Sequence, residues 1–143
     1  MGYYMEMEDC KILIPSNHFA DMLSAIKAIM SDNPSMGGGT YGGDGLIERH
    51  YSWVSTERVL DSKDVTEALH AWRWHPNLDD DGNIFMLYFN GEKLGQDEVL
   101  FKAIAPYVTE GSYVAMRGED GFLWRWYFDG NTCVEQEGMV VYR

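Results

Sequence analysis

Between residues 77 and 83 the chain reads Asn77-Leu78-Asp79-Asp80-Asp81-Gly82-Asn83. Oxygen-bearing side chains on alternate residues, followed by a turn glycine, form the front half of a calcium loop. Counted from Asn77, the ligands fall at positions 1, 3 and 5 and the glycine at position 6. The back half fails. Position 12 is Tyr88 where a bidentate glutamate belongs, and the apolar run Ile84 to Phe89 follows instead of a helix. The segment reads as a turn into a strand, with Asn77, Asp79 and Asp81 a weak calcium candidate at best.

Other reactive groups form no recognisable pattern. His18, His50, His70 and His75 offer no paired spacing for metal ligands, and His70 and His75 stand five apart. Cys10 and Cys133 are the two cysteines, in no Cys-x-x-Cys pair, so reduced thiols are expected. No Gly-x-Ser-x-Gly elbow or local cysteine signature marks a nucleophile. Carboxylates are too numerous for any general acid–base pair to be singled out. The expectation is a protein without catalytic residues or cofactor.

Charge narrows the partners. The 143 residues carry 23 acidic and 11 basic side chains, a net charge of −12. Binding phosphates requires clustered Lys and Arg, which neutralise the backbone and release counterions. Here the strongest basic signal is two Trp-Arg-Trp triplets, at 72–74 and 124–126. Direct nucleic-acid binding is therefore not expected. An acidic face that meets a basic surface on another protein is, with Asp79, Asp80, Asp81, Glu92 and Glu98 as its carboxylates. Attraction of that kind speeds encounter and sets specificity, so aromatic and arginine anchors must supply lasting affinity. Arg125, Tyr127 and Trp74 are the candidate anchors.

The elements that must position these groups follow from hydrophobic spacing. Residues 3–8 alternate as a strand, and Ser16 stands where a cap would open an amphipathic helix over 17–31. Residues 35–45 hold six glycines among eleven residues and read as a flexible loop, since no lysine is there to make it a phosphate cradle. A strand is expected over 46–54. A second helix fits 63–74, capped by Ser62 and ended by His75-Pro76. The run 84–89 suggests a strand covered on both faces. Asp97 is placed to cap a third helix over 97–105, with Leu100, Phe101 and Ile104 inward.

Three strands, 111–117, 122–128 and 132–142, then form an antiparallel meander. In the second, Phe122, Trp124, Trp126 and Phe128 share one face, which reads as core, while Arg125 and Tyr127 face the other way. The order predicts a single α+β domain over 1–143. It has two layers, with helices on one face of a mainly antiparallel sheet, in a ferredoxin-like plan with decorations. With no apolar run of 18 residues and no leader pattern, the expected setting is the cytoplasm, away from membranes.

Residues 106–130, PYVTEGSYVAMRGEDGFLWRWYFDG, resemble a group of small, acidic, uncharacterised proteins from bacteria and their phages or other mobile elements. The shared features are Ala105-Pro106-Tyr107-Val108 on a helix, Gly111-Ser112-Tyr113, Gly118-Glu119-Asp120-Gly121 and Trp124-Arg125-Trp126, with FNGEKLGQDEVLF at 89–101 upstream. The likeness covers the last third of the chain and, further upstream, only the general layout. It implies no activity and no catalytic residue. What it implies is context: a small protein of a mobile element that binds and inhibits host machinery. The expected function is thus a non-enzymatic interaction domain acting on a basic, nucleic-acid-handling protein. The rivals are a small enzyme or ligand-binding module with a Trp- and Tyr-lined pocket between sheet and helices, and a calcium-tuned domain.

Overall fold

The computed structural model describes residues 2–32, 38–42, 45–51 and 53–142, with residue 32 and the stretches 38–42 and 45–51 described through their backbone alone. In chain order the elements begin β1 (Met5–Lys11), α1 (Phe19–Asp32), β2 (Gly38–Gly42), β3 (Gly45–Tyr51), β4 (Val54–Ser55), α2 (Thr56–Leu60) and α3 (Val65–Ala71). They continue β5 (Trp74–Leu78), β6 (Ile84–Phe89), α4 (Asp97–Ile104), β7 (Tyr113–Gly118), β8 (Leu123–Phe128) and β9 (Cys133–Glu137).

The largest sheet is antiparallel in the order β1-β7-β8-β9; β2-β3-β4 and β5-β6 pair separately. The protein mixes helices with antiparallel strands and ends in the expected three-stranded meander. Its strand order departs from an interleaved, ferredoxin-like one. The three C-terminal strands lie side by side because tight turns join them, and β1 completes the far edge. Gly121 and Gly130, at φ of 84° and 92°, make the turns between these strands.

The inner face of that sheet is the row Trp124, Trp126 and Phe128, all buried; Phe122, just before β8, is exposed. From α4, Phe101 packs 4.9 Å from the Trp126 ring and edge-on to Phe128. Trp74 stands 5.0 Å from Phe101 and meets Trp126 at 83°. Such offset and edge-on contacts add about 0.5–1.5 kcal/mol per pair beyond the apolar area buried. α1 supplies Met22, Ile26 and Met30 and packs on α3 and α4, so the helices and the sheet share one core.

Several boundaries differ from expectation, each for a local reason. Ser16 opens a 3-10 turn and makes no side-chain cap. The helix foreseen over 63–74 is shorter, α3 over 65–71, and Trp74 already opens β5. Asp64, not Ser62, caps α3 by accepting from Glu67 N at 2.8 Å, and Arg73 at φ 74° then turns the chain into β5. Pro76 is accommodated in that strand because, among the described residues, β5 pairs with β6 on one edge and with no strand on the other. β6 matches its expected span, but Phe85 and Tyr88 are exposed, so it is covered on one side rather than two. Gly38–Gly42 of the glycine-rich segment pair with β3, and residues 35–37 and 43–44 lie outside the described residues.

Candidate functional site

Antiparallel pairing fixes what the outer face of the four-stranded sheet presents. Residues opposite one another share a face, so the register lays out three rows. They are Glu6, Arg117 and Leu123; Asp9, Ala115, Arg125 and Gln136; and Lys11, Tyr113, Tyr127 and Val134. A bulge between Met7 and Asp9 inserts Glu8 beside them.

Arg125 is the centre of this surface. Its guanidinium carbon lies 5.1 Å from the Tyr113 ring centroid and 5.2 Å from that of Tyr127. Its Nε donates to Gln136 Oε1 at 2.6 Å. Tyr113 is braced in turn, its hydroxyl donating to Asp9 Oδ2 at 2.7 Å, and that bond raises the phenol above its ordinary value. The planar cation is thus held between two rings, an arrangement lysine cannot reproduce. Among the described residues no carboxylate pairs with Arg125, whereas Arg117 is matched by Glu8. Beside Arg125 runs an open groove of about 600 Å³, whose walls include Glu8, Arg117, Leu123, Gln136 and Met139.

The other expected contact residues lie elsewhere. Trp74 is wholly buried, and its indole Nε1 donates to Asp97 Oδ1 at 3.0 Å, so it cannot meet a partner. Asp97 does not cap α4 either. Gln96 occupies the cap position, and the buried Asp97 carboxylate also accepts from Gly95 N and from Arg73 Nη2, at 3.0 and 3.1 Å. Glu98 is on α4, 3.3 Å from Lys102, on the helix side of the sheet. Glu92 follows β6, where its carbonyl accepts from Met5 N. Asp79, Asp80 and Asp81 form the β5–β6 turn. Glu92 lines a groove with Glu6 and Arg117, while the other four acids lie on elements other than the sheet that carries Arg125 and Tyr127.

That turn is self-contained. Asp79 Oδ1 accepts from Asp81 N and Asn83 N, both at 2.9 Å, and Gly82 takes a φ of 82°. Asn77 lies in β5 opposite Met86. The calcium candidate is therefore an Asx turn closing a hairpin. Among the described residues no group of three or more His, Cys, Asp or Glu side chains is disposed to hold a metal ion.

Two features escaped the sequence reading. Trp53, half exposed, adopts φ 74°, and Lys93 Nζ sits 5.5 Å from its ring and 5.1 Å from that of Tyr4. His70 and His75, unpaired by spacing, are in contact through ring nitrogens 2.7 Å apart. Cys10 and Cys133 are both buried free thiols, and burial, with Glu98 second, pushes Cys133 up to about 12. No described helix is long and apolar enough to cross a membrane. No family model, curated protein or solved structure matches the chain.

Proposed function

We propose that this is a non-enzymatic protein-interaction domain that engages its partner through the outer face of the β1-β7-β8-β9 sheet. The observation behind this reading is Arg125: half-buried, clamped by Tyr113 and Tyr127, with no carboxylate paired to it among the described residues, at the edge of a groove. Arginine and tyrosine in preorganised positions are the residue types that dominate binding energy at interfaces. Around them stand Glu6, Glu8 and Asp9 on β1.

Those acids, on a chain whose net charge is −12, suit a partner with a basic surface. A nucleic-acid-handling host protein, bound and inhibited in the cytoplasm by a small protein of a mobile element, fits the description. The ligand-binding alternative finds less support. The space between sheet and helices, where such a pocket was expected, is filled by Trp74, Phe101, Trp126 and Phe128.

The test is affinity capture from the source cell with the natural protein, Arg125→Ala and Tyr127→Ala, at low and high salt. A partner held by the natural protein, lost from both variants and released by salt supports the reading. An identical set of captured proteins from all three would refute it.

A further inference from the structure

His70, near the C-terminal end of α3, and His75, the second residue of β5, bring His70 Nε2 within 2.7 Å of His75 Nδ1. Their ring planes differ by 13° and their centroids are 4.8 Å apart. Two rings stacked face over face cannot bring nitrogens this close, so the imidazoles lie nearly edge to edge in a common plane. One nitrogen donates the hydrogen and the other accepts it. Both side chains are exposed, so the rings can turn toward solvent when that hydrogen bond is exchanged for another partner.

We propose that His70 and His75 are a two-imidazole chelate for a divalent ion of the copper, nickel and zinc class. Imidazole nitrogens bind such ions at about 2.0–2.1 Å. Two nitrogens 2.7 Å apart would then subtend roughly a right angle at a shared ion, the angle between neighbouring ligands in octahedral and tetragonal coordination. The ion takes the place of the shared proton once each ring has swung by roughly half a right angle, so that both lone pairs converge on it. Nδ1 and Nε2 are both established metal donors.

A second observation points the same way. A groove of about 510 Å³ opens beside His70 and is lined by Glu57, Asp61 and Glu67 together with Arg58. Carboxylates lining one concavity raise the local concentration of cations. The two imidazoles choose among those cations, because hard ions such as Ca²⁺ and Mg²⁺ prefer oxygen ligands. Water fills the remaining coordination positions. The site links the end of a helix to the start of a strand across the left-handed turn at Arg73, so a bound ion ties two elements together and stabilises the folded chain.

The experiment is calorimetric titration of the natural protein and of His70→Ala, His75→Ala and His18→Ala with Cu²⁺, Ni²⁺, Zn²⁺ and Ca²⁺, with circular dichroism to verify folding. One Cu²⁺ per chain is expected, bound more tightly than Ni²⁺ or Zn²⁺, with an electron paramagnetic resonance signal split by two nitrogens. Losing even an outer partner of a ligating imidazole weakens metal binding about 10–100-fold. His70→Ala and His75→Ala should each weaken it by at least about tenfold, while His18→Ala leaves it unchanged. Undiminished binding in folded His75→Ala, Ca²⁺ bound as tightly as Cu²⁺, or loss on replacing His18 overturns the proposal.

Discussion

Trp74 donates its indole N–H to Asp97, 3.0 Å away, and both side chains are wholly buried. Arg73 reaches the same carboxylate at 3.1 Å and also donates to Lys93 O at 2.7 Å. One carboxylate therefore binds the start of β5, the loop after β6 and the first turn of α4. Removing one member of a buried ion pair strands the other, at a cost of about 3–5 kcal/mol. Asp97→Ala should lose that much in chemical denaturation, with Asp97→Asn losing less because it keeps an acceptor for Trp74. A loss below about 1 kcal/mol would show that the carboxylate is not what joins these elements.

Arg125 and Tyr113 should be energetically coupled. A double-mutant cycle on Arg125→Ala and Tyr113→Leu isolates their interaction, and at a half-exposed site a cation–π pair contributes about 0.5–1 kcal/mol. Arg125→Lys keeps the charge but loses the planar stack and the bond to Gln136, so it should resemble Arg125→Ala more than the natural protein. Zero coupling would mean that the guanidinium is not held in place by the ring.

Periodicity revealed the parts of the fold in which one face is cleanly apolar. α1, α4, β6 and the first two strands of the meander lie close to where their spacing put them, while β9 stops at Glu137, short of the expected 142, and the Trp124–Trp126–Phe128 row faces inward as its alternation implied. The stretch 63–74 was misread because its outcome turns on one residue. Val65, Ala68, Leu69 and Trp72 continue a helical stripe, and no spacing rule announces that Arg73 will adopt φ 74°. That turn decided two site assignments. It sends Trp74 into the core instead of onto a helix end, and it folds β5 back so that His75 meets His70. Arg125 and Tyr127 were legible as outward-facing from strand alternation alone. Tyr113, Asp9 and Gln136 beside them were not, because strand order and register come from long-range pairing.

Alkaline conditions should destabilise the protein. Tyr3, whose hydroxyl bonds to Asp120, is pushed up to about 12, as Cys133 is by burial; Cys10 and Tyr113 are also raised. In the unfolded chain thiols and phenols release their protons at about 8.5 and 10. Between those values and about 12 the folded state retains protons that the unfolded state has lost, so stability falls as pH rises. The contribution is complete below about pH 8.5 and disappears toward 12. Melting temperature should decline through this window, less steeply in Cys133→Ala. A melting temperature that rises across it would contradict these shifts. The same burial predicts that iodoacetamide at pH 8 modifies neither thiol until the chain is unfolded.

Trp53 and Arg73 share a φ of 74°, a conformation that costs a residue with a side chain about 1–3 kcal/mol. Glycine adopts it without strain. The two positions should nevertheless respond to glycine in opposite ways. Trp53 is half exposed, and its described contact is Lys93 over its ring, worth about 0.5–1 kcal/mol. Trp53→Ala forfeits that contact and keeps the strain, while Trp53→Gly forfeits it and relieves the strain. The glycine variant should therefore be the more stable of the two by about 1 kcal/mol, the reverse of their usual order within a strand or helix. At Arg73 the relief is outweighed, because glycine there abandons the buried carboxylate of Asp97 and the bond to Lys93 O. Arg73→Gly should be destabilised by several kcal/mol, on the order of 3–5. Thermal denaturation of the three variants decides the matter: if Trp53→Ala proves at least as stable as Trp53→Gly, the left-handed turn at Trp53 is not strained.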